Sequence, residues 1–308
     1  MSDDKKIIVD PGPYSAVGKA LIEKAGAGFG GYFKAWQIGR VAKAEAKAII
    51  VKAKAEAEAD IIKAKGEIEI TELYRRTLGR FFEEEVIRQE NMEKITMKAL
   101  PHLEDESDPS KMQDDWVTHF FDKSRIVSDD EMQEVWARVL AGEANLPGTY
   151  SKRTVNCLGD LDRRDAKIFA ALCGFVWLFD DVTVVIFNTE DPVYNDNGVN
   201  IRTVDHLDSI GLIKYSDITG YCHKGLPKTV SGSYFGRPLN LTMEKEDGNV
   251  LRIGKVVLSQ VGYELISVCQ AKPVDGFFDY VKGKWSKYLP EDEGAEQGAS
   301  ADADKSAS

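Results

Sequence analysis

The sequence has few of the side chains that build metal centres or redox chemistry. Its 308 residues include four cysteines and four histidines. No two cysteines form a C-x-x-C pair, and no histidine lies three or four residues from another histidine or from a cysteine. Zinc sites usually bring ligands together at such short spacings, so we predict no metal site and no cofactor. We expect the cysteines to be reduced and mostly buried, as in a cytosolic protein.

Long apolar runs and an excess of positive charge are also missing. No stretch approaches the ~20 apolar residues of a membrane-spanning helix, and no apolar run follows the lysines of "MSDDKKIIVDPGPYS" as in a signal peptide. We therefore expect a cytoplasmic protein, attached at most peripherally to the inner membrane. The net charge of −11 and the pI of about 5.0 argue against a surface built mainly for nucleic acid.

The sequence contains no P-loop, no G-x-S-x-G and no H-E-x-x-H motif. The string GAGFGG at residues 26–31 does match the dinucleotide motif G-x-G-x-x-G. That motif must directly follow a buried strand and open a helix, whereas the preceding "SAVGKALIEKA" has the pattern of a helix. We therefore predict no nucleotide site, and the sequence identifies no small-molecule substrate. We expect a protein that is not an enzyme, although missing motifs do not exclude an active site of another kind.

What the chain does contain is a strong helical pattern in its first third. Apolar residues recur every three or four positions from Ser15 onward, and residues 40–100 are rich in Ala, Glu and Lys, the best helix formers. The apolar seam of residues 40–100 is thin, so this region needs a partner to be stable. We expect a homo-oligomer or a helical protein partner.

The glycine-rich part of this region is the first candidate site. Two glycines four residues apart would let another helix approach closely, and neighbouring aromatic side chains favour an interface. The residues predicted to make association or membrane contacts are Gly26, Phe29, Gly30, Phe33 and Trp36. Three interpretations remain open here: a hinge or hairpin packed on the following helices, a self-association face, and peripheral membrane contact.

Composition divides the chain into segments and predicts an α+β fold that is mainly α. The segments are a polar lead-in (1–14), long helices (15–100), an acidic linker (101–113), a helical block (114–180), an α+β domain (181–289) and a disordered acidic tail (290–308). In the α+β domain, "TVDHLDSIGLIKYSD" predicts a helix that closes on Gly211 and passes into a strand. Strand-like segments and a final helix follow, an order that resembles a winged-helix layout.

Two helix starts are predicted inside the helical block. Ser128 and Glu131 have the spacing of a capping box, and Asp162 is placed to cap a helix running through "DRRDAKIFAALCGFVWLF". Close to these starts lies a small basic island, Lys152, Arg153, Arg163 and Arg164. It is the candidate nucleic-acid contact, and solvated helix ends are the alternative interpretation.

Several strings resemble a known bacterial family, the domain of unknown function DUF 2806, from about Leu21 to Leu289. They are "AWQIGRVAKAEA", "QENMEKITMKALP", "DEMQEVWARVLAGEANLPGTYSKRTVNCLGDLDRRDAKIF", "HLDSIGLI" and "KPVDGFFDYV". This family has no established activity, so the resemblance implies no catalytic residue. The long Ala/Glu/Lys helix also looks like the coils of stomatin- and flotillin-type scaffolds.

The first 170 residues or so are also similar in plan to the Abi-alpha family of abortive-infection proteins. The shared plan is a glycine-bearing amphipathic helix, an Ala/Glu/Lys helix, and then "DEMQEVWARVLAGEAN" and "LGDLDRRDAKIF". This resemblance implies phage defence as the setting. Our leading hypothesis is a non-enzymatic interaction protein acting through its N-terminal helices, and the alternative is a winged-helix DNA-binding regulator.

Overall fold

The computed structural model describes residues 14–28 and 72–290. These residues form a mainly helical α+β protein, as the sequence predicts. The chain divides between Val155 and Asn156 into two compact units. This division falls inside a helix, whereas composition places boundaries after residues 113 and 180.

The elements have the following bounds. The helices are α1 (Ala16–Gly28), α2 (Glu72–Ala99), α3 (Asp114–Ser124), α4 (Asp130–Asn145), α5 (Lys152–Asp160), α6 (Arg163–Cys173), α7 (Pro192–Asn195), α8 (Ile201–Ser209), α9 (Gln260–Leu265) and α10 (Phe277–Lys284). The strands are β1 (Val176–Leu178), β2 (Val182–Val184), β3 (Ile213–Tyr215), β4 (Tyr221–Leu226), β5 (Thr229–Tyr234), β6 (Arg237–Thr242), β7 (Asn249–Gly254) and β8 (Val256–Leu258). Short 3-10 turns lie at Leu100–His102, Pro109–Lys111, Ile266–Val268 and Ser286–Tyr288.

An aromatic cluster forms the centre of the first unit. The Phe120 ring lies 5.1 Å from Trp116 in a stacked arrangement and 5.1 Å from Trp136 in an edge arrangement. All three side chains are buried, and the Trp116 indole donates a hydrogen bond to the Tyr150 carbonyl at 2.7 Å. Apolar burial of this kind gives most of the stability of a small helical unit.

Helix α1 packs on α3 through the side that carries small residues. Its buried residues include Leu21, Ala25 and Gly26, and a Cβ added to Gly28 would lie 2.8 Å from a Val117 methyl carbon. Small side chains are needed here because the two helices approach closely. The helical pattern predicted from Ser15 onward is confirmed at Ala16–Gly28 and at Glu72–Ala99, and its part between them lies outside the described residues.

The predicted cap of α4 is wrong by one residue. The helix begins at Asp130, and the Asp129 carboxylate accepts the backbone N–H of Met132 at 2.9 Å. The hydroxyl of Ser128 instead accepts the Asn91 side-chain amide from α2 at 3.2 Å. A tertiary contact therefore uses the serine that the local sequence assigns to the helix end.

The helix predicted after Asp162 is correct at its start and wrong at its end. Asp162 caps α6, and Asp165 completes a reciprocal capping box with it. The helix stops at Cys173, and Val176–Leu178 forms strand β1, which pairs with β2 in antiparallel register, Val176 opposite Val184. The aromatic and β-branched residues after Gly174 fit a strand better than a helix, and β2 supplies the partner.

The described residues of the second unit form three small antiparallel sheets. The strand order of the largest sheet is β2-β1-β5-β6, and two-stranded pairs are formed by β3 with β8 and by β4 with β7. Trp177 of β1 is fully buried among the rings of Tyr234, Phe278 and Trp285. The Tyr234 hydroxyl donates to the Gly174 carbonyl at 2.7 Å and accepts the Val274 N–H at 2.6 Å.

The predicted helix-to-strand passage in this unit is confirmed. Helix α8 is capped by Asn200, the chain turns at Gly211 with a φ of 82°, and β3 follows. Strand β3 pairs with β8, while β4 and β7 are paired between them in sequence. The Ser259 hydroxyl oxygen then caps α9, and its one proton is shared between the carbonyls of Gly211 at 2.6 Å and Leu212 at 3.0 Å.

Candidate interaction surface

Among the described residues, helix α2 is buried against its unit at its C-terminal part. Its buried residues are Asn91, Met92, Ile95, Thr96 and Ala99. The Asn91 side-chain N–H donates to the Arg125 carbonyl at 3.0 Å, and its amide oxygen accepts a hydrogen bond from the Gln133 side chain of α4 at 3.2 Å. Lys98 forms an ion pair with Asp130 at 2.6 Å. Packing therefore begins at Asn91, about 19 residues, or roughly 28 Å, after the first described residue of the helix.

The first turns of α2 present large apolar side chains to solvent. Phe81 is 53% exposed and Phe82 is 43% exposed, and Leu78 and Val86 are half-buried. We call Tyr74, Leu78, Phe81, Phe82 and Val86 the α2 stripe, because their spacing of three and four residues places them on one helical face. Clustered exposed aromatics of this kind mark an interaction surface more often than ordinary solvent-facing surface.

The α2 stripe continues the face that is buried further along the helix. Positions 78, 82, 85, 89, 92, 96 and 99 alternate steps of four and three, which is the repeat of a helix that packs along another helix. At Met92, Thr96 and Ala99 this face is buried. At Phe82 the same face is exposed and at Leu78 it is half-buried, so among the described residues the N-terminal half of α2 carries an apolar face that is not fully packed.

Charges on this part of α2 are separated along the helix. Arg75, Arg76 and Arg80 come first, and Glu83, Glu84 and Glu85 follow. Within the helix, Arg80 lies 3.3 Å from Glu84, and Arg88 contacts both Glu84 and Glu85. Exposed pairs at this spacing contribute little, about 0.3–0.5 kcal/mol each. They can therefore exchange partners at small cost.

The glycine-rich site predicted from the sequence is only partly described. Gly26 is buried in α1, where it packs within its own unit. Phe29, Gly30, Phe33 and Trp36 lie outside the described residues. The described part of the GAGFGG string is helical up to Gly28. The string therefore begins inside a helix, whereas a dinucleotide-binding motif directly follows a strand.

The four residues of the basic island stand at helix starts. Lys152 is the first residue of α5 and forms an ion pair with Asp115. Arg163 and Arg164 open α6, directly after Asp162 and before Asp165. Acidic side chains therefore alternate with the basic ones, which weakens the local positive potential that a phosphate backbone requires.

A histidine–aspartate pair, of a kind also found in catalytic sites, lies in the second unit. His206 Nε2 lies 2.6 Å from Asp165 Oδ1. Burial would raise the pKa of Asp165, but hydrogen bonds from His206 and from the Asp162 N–H outweigh it and lower that pKa. The same carboxylate is the reciprocal member of the α6 capping box. The pair thus joins α8 to the start of α6, and its role in the fold accounts for its geometry.

This pair gives an expected pH dependence. Because the pKa of Asp165 is lowered in the folded protein, its contribution is complete above ~pH 4 and is lost as the pH falls through the folded pKa. Asp165→Asn should lower the free energy of unfolding by about 1.5 kcal/mol at pH 7. In thermal unfolding scans between pH 7 and pH 2.5, the two proteins should converge at the acid end. The exposed Asp160→Asn is the control, and a constant difference at every pH would contradict the assignment.

A second polar cluster holds α10 near α7. The Tyr280 hydroxyl donates to the Asp191 carboxylate, and Lys284 lies 3.5 Å from the same group. The hydrogen bond from Tyr280 lowers the pKa of Asp191, while burial and the bond to Asp191 raise the pKa of Tyr280. Both groups therefore keep their ordinary protonation states at neutral pH. These contacts hold α10 against Asp191, the residue that directly precedes α7.

Within 14–28 and 72–290, no group of three or more His, Cys, Asp or Glu side chains is placed to hold a metal ion. In the same two ranges, no helix combines the length and the apolar character that crossing a membrane requires.

The fold and the α2 surface define a mainly helical α+β protein with an exposed helical face. The family model for the protein of unknown function DUF2806 matches residues 75–282. The chain belongs to this family, as the quoted strings predict. No curated protein and no solved structure matches the chain.

Sequence reasoning missed the α2 stripe. The pattern of residues 40–100 predicts a helical region with a thin seam of isoleucines and alanines, and the glycine spacing places the candidate site near Gly26. The missed signal lies in "LYRRTLGRFFEEEVI", where a block of arginines, two phenylalanines and a block of glutamates follow one another. What the sequence cannot show is that, among the described residues, the buried part of α2 begins at Asn91.

Proposed function

We propose that this protein is a non-enzymatic bacterial interaction protein that docks a helical protein partner on the α2 stripe. The observation that carries the proposal is the pair of exposed rings, Phe81 and Phe82, on a face that is buried from Met92 onward. Exposed aromatic rings that continue a packed face lower their free energy most by meeting another apolar helix.

The charges beside the stripe favour a protein partner over a membrane. Arg75 and Glu85 both flank it, and Glu83, Glu84 and Glu85 directly follow Phe82. Helices that lie on anionic membranes carry Lys and Arg around their apolar face, and a block of glutamates would be repelled there. A protein surface can complement both signs of charge.

Phage defence is the physiological setting that we propose. It is supported by the similarity in plan to the Abi-alpha family over the first 170 residues. In that setting the α2 stripe would engage the partner on which protection depends.

A phage plaque assay tests this function with matched variants. Leu78→Ser with Phe82→Ser removes the centre of the stripe, and we expect protection to be lost. Leu73→Ser with Ile87→Ser removes two exposed apolar side chains on the opposite helical face, and protection should persist. Protection that survives the stripe variant at equal soluble expression would refute the proposal.

The alternative function is a winged-helix DNA-binding regulator. It is supported by the order of α8, β3, the strands β4 to β7, and β8. The exposed side chains of α8 include Arg202 but also Asp205 and Asp208, and acidic side chains oppose entry into a phosphate-lined groove. A gel shift with the full chain that weakens steeply as salt rises would favour this alternative.

A further inference from the structure

The exposed part of α2 has a chemical symmetry about Arg80. Residues the same number of positions before and after Arg80 are either both apolar or opposite in charge, with few exceptions. The apolar pairs are Leu73 with Ile87, Tyr74 with Val86, and Leu78 with Phe82; the charged pairs are Glu72 with Arg88, Arg75 with Glu85, and Arg76 with Glu84. Gly79 corresponds to Phe81.

Such a pattern is what a two-fold antiparallel helix pair requires. When a two-fold axis crosses two antiparallel helices, a residue before the axis on one helix faces the residue equally far after it on the other. Each arginine of α2 other than Arg80 is then level with a glutamate of the other copy, and Leu78 is level with Phe82. In a parallel pair in register, Arg75 would face Arg75 and Glu85 would face Glu85.

We propose that the occupant of the α2 stripe is a second copy of this chain, bound antiparallel with the two-fold axis at the level of Arg80. This inference rests on the proposed function and names the partner. Leu78 of one copy packs on Phe82 of the other at the axis. Arg75 of one copy meets Glu85 of the other, and the two-fold axis makes this contact twice.

The helical position of each charge determines which pairs take part. Arg75 lies three residues before Leu78, and Glu85 lies three residues after Phe82, so both border the stripe. Leu73, Arg76, Glu84 and Ile87 share the opposite face with Arg80, which is the most exposed of the arginines that form ion pairs on α2. The Arg75–Glu85 contacts are therefore inside the pair, and Arg76 and Glu84 are outside it.

The length of the surface sets the expected affinity. Residues 72–88 span about 25 Å of helix, so the contact is one short helix pair. Stable interfaces usually bury ~1,200 Å² or more. We therefore expect a dissociation constant in the micromolar range, and a dimer that dissociates on dilution.

Sedimentation velocity of the full chain tests the pair by charge exchange. The wild-type chain should pass from monomer to dimer across the micromolar range. Arg75→Glu and Glu85→Arg should each weaken the dimer about tenfold or more, because two attractions become repulsions. An equimolar mixture of the two variants should restore a dimer, since each unlike pair then regains both contacts. Arg76→Glu and Glu84→Arg, on the opposite face, should leave the mass unchanged.

The outcomes separate this inference from the proposed function. A wild-type chain that stays monomeric at high micromolar concentration overturns the second-copy partner, as does a dimer that Arg75→Glu leaves intact. If the stripe variant still abolishes phage protection, the proposed function stands with a different partner. If the mixture restores the dimer while the stripe variant keeps full protection, the pair is correct and the proposed function is wrong.

Discussion

Gly262→Ala should destabilise the second unit by about 4 kcal/mol or more and lower its melting temperature by ~10 °C or more. An added Cβ at Gly262 would lie 2.0 Å from the Leu212 carbonyl oxygen. That carbonyl accepts hydrogen bonds from the Ser259 N–H at 3.1 Å and from the Ser259 hydroxyl at 3.0 Å. It cannot turn away from the new methyl group without losing both bonds, so α9 must separate from the start of β3.

Gly283→Ala is the matched control for this prediction. Gly283 lies in α10, and a Cβ placed on it would have no atom within 4 Å. Alanine should raise the free energy of unfolding there by up to ~1 kcal/mol, because it restricts the unfolded chain and favours the helix. Thermal unfolding followed by near-ultraviolet circular dichroism measures both variants. Equal melting temperatures for Gly262→Ala and Gly283→Ala would contradict the close contact between Gly262 and the Leu212 carbonyl.

Phe120→Ala should lower the free energy of unfolding of the first unit by about 3–5 kcal/mol. The Phe120 ring is fully buried, and it contacts Phe121 at 5.2 Å as well as the two tryptophans of the cluster. Removing it leaves a cavity between large rigid rings, which cannot close around the space. Tryptophan fluorescence should therefore report a lower melting temperature together with a shifted emission maximum.

The exposed Leu146 supplies the control for Phe120. It is 70% exposed at the end of α4, so Leu146→Ala should change the free energy of unfolding by no more than ~0.5 kcal/mol. A comparable loss for both variants would mean that burial at Phe120 does not govern the stability of this unit.

The local parts of the fold were predictable because neighbouring residues decide them. Asp162 caps α6 through its own backbone neighbours. After helix α8 the chain turns at Gly211 with a φ of 82°, a conformation that favours glycine. The mainly helical α+β class follows from composition and periodicity in the same way.

Other parts were not predictable because distant residues decide them. The Ser128 hydroxyl accepts a hydrogen bond from the Asn91 side chain of α2, and Asp129 caps α4 instead. Strand β1 exists because β2 pairs with it on one side and β5, more than fifty residues later, pairs with it on the other. A run such as "GFVWLF" fits a helix or a strand until such partners are known.

The candidate interaction surface combines both kinds of information. The sequence by itself determined the symmetric order of apolar and charged residues about Arg80, the family membership and the helical character of α2. Only the tertiary structure decided that the face ending in Ala99 is buried while the same face at Phe82 is open. Whether a given turn of a helix is covered depends on where the rest of the chain packs, and periodicity records only which side of the helix is apolar.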